Sequence, residues 1–178
     1  MQIIKLKILG IPQPKQSVRS AGVKTVSGKI KIRHFQPDKV KRNERNIAFD
    51  VKSQLPNGFK PYVGPIAVKR LLYVFPPQKN WTKTKLQQLE EGSVFYRDVK
   101  PDLTDNLNKP LFDALQGIVY LNDSQVVKMN DVSKIYGLVP RIEIEFEPLY
   151  PAIGSYSTHY EFPGTPVDMN DTQILKGY

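Results

Sequence analysis

The sequence predicts a single α/β (α+β) domain, in which one mixed β-sheet carries helices packed mainly on one of its faces. Residues 66–75, IAVKRLLYVF, are almost continuously apolar, as expected of a central strand buried on both faces. Residues 141–147, RIEIEFE, alternate apolar and charged side chains, as expected of a strand with one face in water. Residues 38–55 instead place apolar side chains at helical spacing, which predicts a helix capped by Asp38 and ending near Leu55.

The N-terminal elements are predicted from short local patterns. Residues 2–9, QIIKLKIL, alternate in the manner of a half-buried strand. Residues 10–20, GIPQPKQSVRS, are rich in proline and predict an ordered loop. Residues 22–35, GVKTVSGKIKIRHF, predict a hairpin with its turn around Ser27 and Gly28 and with lysines on its exposed face.

The second half of the chain alternates helices and strands. Gly92 and Gly117 follow helical patterns and are expected to end them, since glycine adopts the left-handed conformation that closes many helices. In chain order, the expected elements before the last strand are a helix at 82–91, a helix at 105–116, a strand at 118–121, a turn at 122–124 and a strand at 125–137.

The domain is expected to span residues 1–147, and residues 148–178 are expected to form a C-terminal extension. This last segment has no helical or strand period and few aliphatic residues, which favours a flexible or partner-bound tail. The chain contains no cysteine, so disulfides, thiolate metal ligands and cysteine nucleophiles are excluded. It also contains no run of about 18 apolar residues, so no membrane span is expected. These features fit a cytoplasmic protein.

The charge of the chain is divided unevenly between its halves. Residues 1–100 contain 21 basic and 6 acidic residues, whereas residues 101–178 contain 5 basic and 11 acidic residues. A basic half joined to a carboxylate-rich half suggests a surface that binds a polyanion beside a centre that binds a metal ion. The simpler alternative is that the basic balance only aids solubility.

The acidic residues are concentrated in KPDLTDNLNKPLFDALQG, residues 100–117, and in the LNDSQ segment that follows. On a helix, Asp105, Lys109 and Asp113 share one face, because they are four residues apart. Asp102 precedes that helix, and Asp123 lies on the next turn. Carboxylates from different elements suit Mg²⁺, which prefers oxygen ligands and can act on a nucleic-acid phosphate.

The acidic segment also allows two interpretations without a catalytic metal. In the first, the acids only cap a helix and form one ordinary Asp–Lys pair, since acids are favoured near a helix N-terminus. In the second, residues 102–113 form a calcium loop, with Asp102 and Asp113 at its first and last positions. The second has little support, because Leu107 occupies the sixth position, where a calcium loop requires glycine.

The sequence resembles the RusA family of Holliday-junction resolvases over residues 4–147. The resemblance is strongest in PDLTDNLNKPLFDALQG followed by VYLNDSQVV, and the loop IPQPKQSVR adds to it. Family members read approximately Asp-x-Asp-Asn-Leu-x-x-Lys, then Asp-Ala-Leu, then Asp-Asp-x-Gln-Val. This chain has two residues, Leu103 and Thr104, between the first two motif aspartates where one is usual, and it has Asn122 where a first aspartate is common.

The resemblance implies a role for each matched residue. Asp102, Asp105 and Asp123 would be metal ligands, Asp113 a further ligand or a support, and Lys109 the lysine that assists catalysis. The ion would be Mg²⁺, with Mn²⁺ as a substitute. The family implies a homodimer that nicks opposing strands of branched DNA, encoded by a bacterium or a phage.

Several basic residues near the predicted site are candidates for contacts with DNA phosphates. Each such contact makes binding more sensitive to salt. The candidates are Lys15, Arg19, Lys29, Lys31, Arg33, Arg97 and Lys100.

The sequence thus predicts a Mg²⁺-dependent, structure-selective endodeoxyribonuclease that resolves four-way junctions. Two alternatives belong to other classes. One is a branched-DNA-binding protein without catalysis, which the additional residue between Asp102 and Asp105 keeps open. The other is a phage interaction protein that acts through residues 148–178.

Overall fold

The computed structural model describes residues 3–14, 19–24, 30–35 and 38–149. The predicted turn at Ser27 and Gly28 and residues 150–178 of the predicted extension lie outside these residues, so both stay predictions. The helices are α1 (Asp38–Gln54), α2 (Lys83–Glu90) and α3 (Lys109–Leu115). The strands are β1 (Ile4–Leu9), β2 (Arg19–Lys24), β3 (Ile30–Phe35), β4 (Ile66–Phe75), β5 (Val126–Tyr136) and β6 (Arg141–Pro148).

Four of the strands form one mixed sheet in the order β1-β6-β4-β5, which confirms the predicted fold class. β6 pairs antiparallel with both β1 and β4, whereas β4 pairs parallel with β5. β2 and β3 form a separate antiparallel pair, as the hairpin prediction requires. β4 therefore lies inside the sheet, where its continuous apolar sequence is buried on both faces.

The alternating pattern of β6 in the sequence matches the burial of its side chains. In β6, Ile142, Ile144 and Phe146 are buried and alternate with partly exposed polar residues. β4 departs from simple alternation, because a bulge in its pairing with β6 lies between Val68 and Arg70. An additional residue at such a bulge shifts the alternation. Val68 before the bulge and Leu71 after it therefore both belong to the main core.

Helices α1 and α3 pack against each other, and α1 also packs against β1. Ile47 and Val51 of α1 and Leu111 and Leu115 of α3 all belong to the main core. The structure thus confirms helices on one face of the sheet. Among the described residues, no helix combines the length and the apolar character needed to cross a bilayer.

One predicted strand, at residues 118–121, is wrong. This segment forms a turn, in which Leu115 O accepts hydrogen bonds from Ile118 N (3.1 Å) and Val119 N (3.0 Å). Gly117 has φ +73° and donates its N–H to Tyr120 O at 2.7 Å. The apolar side chains that suggested a strand are instead used for packing, since Val119 and Tyr120 are completely buried.

Gly137 provides a test of packing on the other side of β4. A Cβ atom at this position would lie 2.5 Å from Val74 Cγ1, while Gly137 N donates to Phe75 O at 2.8 Å. We expect Gly137→Ala to lower the free energy of unfolding by about 1–3 kcal/mol through overpacking. Denaturant unfolding measures the change. If the clash is the cause, Val74→Ala will partly relieve it. The double variant will then lose less free energy of unfolding than the sum of the losses of the two single variants.

Candidate active site

The four predicted acids and the predicted lysine lie on the connection from β4 to β5. A π-helical turn, Leu103–Asn108, leads directly into α3, and a 3₁₀ turn, Asp123–Gln125, leads into β5. Leu107, Leu111 and Leu115 anchor this connection in the core. Because these leucines are buried, the polar side of the helix faces solvent. The four acids and the lysine are all at least partly exposed, and they are Asp102, Asp105, Lys109, Asp113 and Asp123.

Asp102 is the N-cap of the π-helical turn. Its Oδ1 accepts hydrogen bonds from Asp105 N (3.1 Å), Asn106 N (3.1 Å) and Thr104 Oγ1 (3.3 Å), and its Oδ2 accepts one from Asn106 Nδ2. These hydrogen bonds, with that from the Asn106 backbone foremost, lower the pKa of the Asp102 carboxyl. This confirms the capping role that the interpretation without a catalytic metal gives to Asp102.

The π-helical turn accommodates the additional residue in the acidic motif. Lys109 N donates to Thr104 O, five residues back, so this turn holds more residues than a turn of α-helix. With the added residue inside the turn, Asp102 Oδ1 still reaches Asp105 N. The turn also precedes Pro110, near the first position of α3, where a proline is tolerated because its missing N–H is not required.

The charges of Asp113 and Asp123 both act on Tyr120. The pKa of this buried phenol is raised, first by burial and then by the negative charges of Asp123 and Asp113. Tyr120 Oη itself donates to Phe112 O at 2.8 Å. Lys109 Nζ is 4.0 Å from Asp113 Oδ1, which places one positive charge beside this acid.

The turn that presents Asp123 is fixed by its neighbours. Asn122 Oδ1 accepts from the backbone N–H two residues ahead (2.9 Å), and Asn122 N donates to Gln125 Oε1 (2.8 Å). Gln125 Nε2 then donates to Tyr62 O (3.0 Å) and Gly64 O (2.7 Å). Asn122, which replaces the first aspartate of the family pattern, thus caps the turn that orients its neighbour.

The structure does not bring all the predicted ligands to one point. Within the described ranges, no three acidic, histidine or cysteine side chains are placed to share a metal ion. Asp102 and Asp105 lie at the start of the helical connection, whereas Asp113 lies in the last turn of α3 and Asp123 in the turn before β5. Exposed carboxylates are nevertheless suitable donors for Mg²⁺, which usually binds one or two protein carboxylates together with substrate phosphates and water.

A clamp from β5, which the sequence did not predict, holds the chain just before Asp102. Lys134 Nζ donates to Val99 O (2.8 Å) and to Pro101 O (2.7 Å). Arg97 N donates to Lys134 O at 3.0 Å, so the connector also pairs with the backbone of β5. The only sequence signal was a lysine within the apolar end of a strand, and its partners are backbone atoms that no residue pattern reveals.

Arg97, a predicted DNA contact, directs most of its guanidinium into the protein. Nη1 donates to Tyr136 Oη (3.2 Å), and Nη2 donates to Lys100 O (2.6 Å). The guanidinium carbon lies 4.5 Å from the ring centroid of Phe75. These contacts suit Arg97 to holding the connector, whereas the Lys100 side chain is exposed.

The other DNA-binding candidates are less completely described. Lys15 and Lys29 lie outside the described residues. Arg19 is on β2, and Lys31 and Arg33 are on β3, but only their backbone is described. Their contacts with DNA stay a prediction.

The capping role of Asp102 predicts how substitutions there affect stability. Asp102→Ala should lower Tm, whereas Asp102→Asn should leave Tm close to that of the wild type, because asparagine is an equally good N-cap. The pKa of Asp102 is lower in the folded state than its ordinary value of 3.8. The stabilisation that the charged cap gives to the folded state is therefore fully present above pH 3.8 and is lost as the pH falls through the lowered pKa. Thermal melts at pH 7 and pH 3 measure this, and a uniform Tm for all three proteins would contradict the capping role.

The Lys134 clamp predicts local loosening of the connector. Lys134→Met retains the length of the side chain but removes both hydrogen bonds, so backbone amides at residues 99–106 should exchange faster with solvent. Native-state hydrogen exchange with mass spectrometry measures the rate. Lys128→Met, on the exposed part of the same strand, is the matched control. Equal protection in both variants would show that the clamp is not needed.

Comparison with known proteins identifies the relatives of this chain. A family model described as Endodeoxyribonuclease RusA matches residues 11–147. The chain is also similar to the uncharacterized protein YqaN of Bacillus subtilis (strain 168), with 30% identity over 148 residues that cover 81% of this chain and 95% of the relative. The match spans every element from α1 to β6, including the acidic connection. The chain therefore belongs to the RusA endodeoxyribonuclease family.

Proposed function

We propose that the protein is a Mg²⁺-dependent, structure-selective endonuclease that resolves Holliday junctions in DNA recombination and repair. The main support is the group of solvent-accessible acids with one lysine on the β4–β5 connection, in a chain of an endodeoxyribonuclease family. Phosphodiester hydrolysis requires charge stabilisation at phosphate oxygens and a positioned water nucleophile. The polar side of this connection offers the side chains for both tasks.

The proposed metal ligands are Asp102, Asp105, Asp113 and Asp123, with one or two carboxylates on each Mg²⁺ and the substrate phosphate completing the site. Bound Mg²⁺, or Mn²⁺ in its place, would neutralise phosphate oxygens and favour ionisation of water. Lys109 is proposed to add a fixed positive charge beside the phosphate, since its ammonium group lies near Asp113.

The partner proposed for this site is a four-way DNA junction, cut by a homodimer in the cytoplasm of a bacterium. Each chain would provide one site, because resolution requires two nicks in opposing strands. The high positive charge of residues 1–100 supports binding to the phosphate backbone.

A second candidate function is branched-DNA binding without catalysis. One observation favours it: the oxygens of Asp102 are already engaged in capping, and no three described acids share a point. A protein of this kind would retain the affinity for junctions but would need none of the carboxylates for its activity.

Cleavage of a synthetic four-way junction tests the proposal. Wild-type protein with Mg²⁺ should nick the junction but not a linear duplex of the same sequence, and EDTA should abolish nicking. Asp105→Asn and Asp123→Asn should each lower the rate at least about 100-fold, the loss expected when a group that stabilises charge is removed. Both variants should still bind the junction in EDTA.

The matched control is Asp131→Asn, which removes an exposed carboxylate on β5 outside the proposed site. Its Oδ2 atom lies 3.9 Å from Arg70 Nε. This variant should cleave at the wild-type rate. Binding by all four proteins without any cleavage in Mg²⁺ or Mn²⁺ would refute the nuclease proposal and support the second candidate. A purified wild type that neither binds nor cleaves junctions would refute both candidates.

A further inference from the structure

The outward face of α1 forms a basic stripe with one aromatic residue in its middle. Its first two members are adjacent and each later member is three or four residues further on, so all of them line the side of the helix opposite the buried Ile47 and Val51. All are exposed, and they are Lys41, Arg42, Arg45, Phe49 and Lys52. We call this set the α1 stripe.

Phe49 is the one exposed phenylalanine among those whose side chains are described. Its side chain is 74% exposed, and in the described part of the chain its ring contacts no other aromatic ring and no cation. Nor does any described carboxylate form an ion pair with the four cations of the stripe. The two acids of α1 with described side chains, Glu44 and Asp50, are half-buried toward the margins of the packed face. The stripe thus combines uncompensated positive charge with an unpaired ring.

The helix that carries the α1 stripe packs on the helix of the acidic connection. α1 contacts α3, which presents Lys109 and Asp113 to solvent. The axes of packed helices are about 8–10 Å apart, less than the ~12 Å width of a B-DNA major groove. A DNA segment bound at the acids of α3 would therefore pass within about one groove width of the axis of α1.

We propose that the α1 stripe is a contact surface for branched DNA, with its cations on backbone phosphates and the Phe49 ring stacked on a base left unpaired at the branch point. This inference rests on the proposed function for its ligand and adds a specific recognition surface to it. Phosphate contacts supply affinity for any DNA. Stacking of a ring requires an accessible base face, which a continuous duplex does not offer.

A membrane surface is a less suitable partner for this face. Helices that bind the bilayer interface have a broad apolar face that inserts below the headgroups. The stripe has a single apolar side chain among four cations, while the apolar face of α1 is buried against the sheet. One ring among cations is the arrangement expected at a single-stranded nucleic-acid site.

The first variants to measure are Phe49→Ala and Phe49→Trp, with Val63→Ala as the control at another exposed apolar residue. Binding is measured in EDTA with a four-way junction and with a linear duplex. Phe49→Ala should weaken junction binding at least fivefold and leave duplex binding unchanged, whereas Phe49→Trp should retain both. Alanine is the better helix former, so a loss cannot be attributed to unfolding of α1, and Tm checks this.

The cations of the stripe are tested separately with Arg45→Gln/Lys52→Gln. This double variant should weaken binding to both DNAs and reduce the salt dependence of log K by about 0.9 for each phosphate that the protein no longer neutralises. Lys79→Gln/Lys83→Gln is the matched control, because Lys79 precedes α2 and Lys83 is its first residue. Trp81 between them packs on Tyr136 of β5, with ring centroids 4.8 Å apart, whereas α1 packs on β1 at the opposite edge of the sheet. This control variant should bind like wild type.

The outcomes separate this inference from the nuclease proposal. If wild type cleaves junctions but Phe49→Ala and the Arg45/Lys52 variant bind them like wild type, the stripe inference is refuted and the nuclease proposal stands. If no metal supports cleavage but junction binding still depends on Phe49, the stripe inference stands without the nuclease. Binding of anionic phosphatidylserine vesicles that depends on Phe49, with no effect on DNA binding, would also refute the stripe inference.

Discussion

The parallel pairing of β4 with β5 is the constraint on which the arrangement of the candidate site depends. Parallel neighbours cannot be joined by a tight turn, so the chain between them must return to the starting end of the sheet. Residues 76–125 make this return, and all four candidate acids lie within them. The acids occur in two groups along this connection. Asp102 and Asp105 lie where its helical part begins, and Asp113 and Asp123 lie between the last turn of α3 and the start of β5.

Three kinds of contact hold this connection in place. Leucines of the π-helical turn and of α3 bury its apolar side against the sheet. Lys134 and Arg97 hold its entrance through backbone carbonyl oxygens, and Gln125 holds its exit through the carbonyl oxygens of Tyr62 and Gly64. Most of these polar contacts are to backbone atoms. The four acids themselves are all exposed to solvent, and Asp102 differs from the others in that its oxygens also cap the helix.

The candidate acids also show what a motif leaves undetermined. The spacing of Asp105, Lys109 and Asp113 correctly indicated an outward polar side, because the apolar residues between them had a helical period. The same pattern allowed for Asp102 as a helix cap, but it could not reveal that a π-helical turn takes up the additional residue. Likewise, the apolar residues 118–121 had the composition of a strand, but Gly117 and the carbonyl of Leu115 close them into a turn.

Local patterns were enough to predict the class of fold, the positions of α1, β4 and β6, and the concentration of acids in one segment, because periodicity and glycine positions are local properties of the chain. Which residues meet depends on tertiary packing. The Lys134 clamp, the effect of the Asp113 and Asp123 charges on Tyr120, and the exposure of Phe49 all arise from how separate segments pack. Such contacts leave no period or spacing in the sequence, since they are set by the way the helices and strands come together.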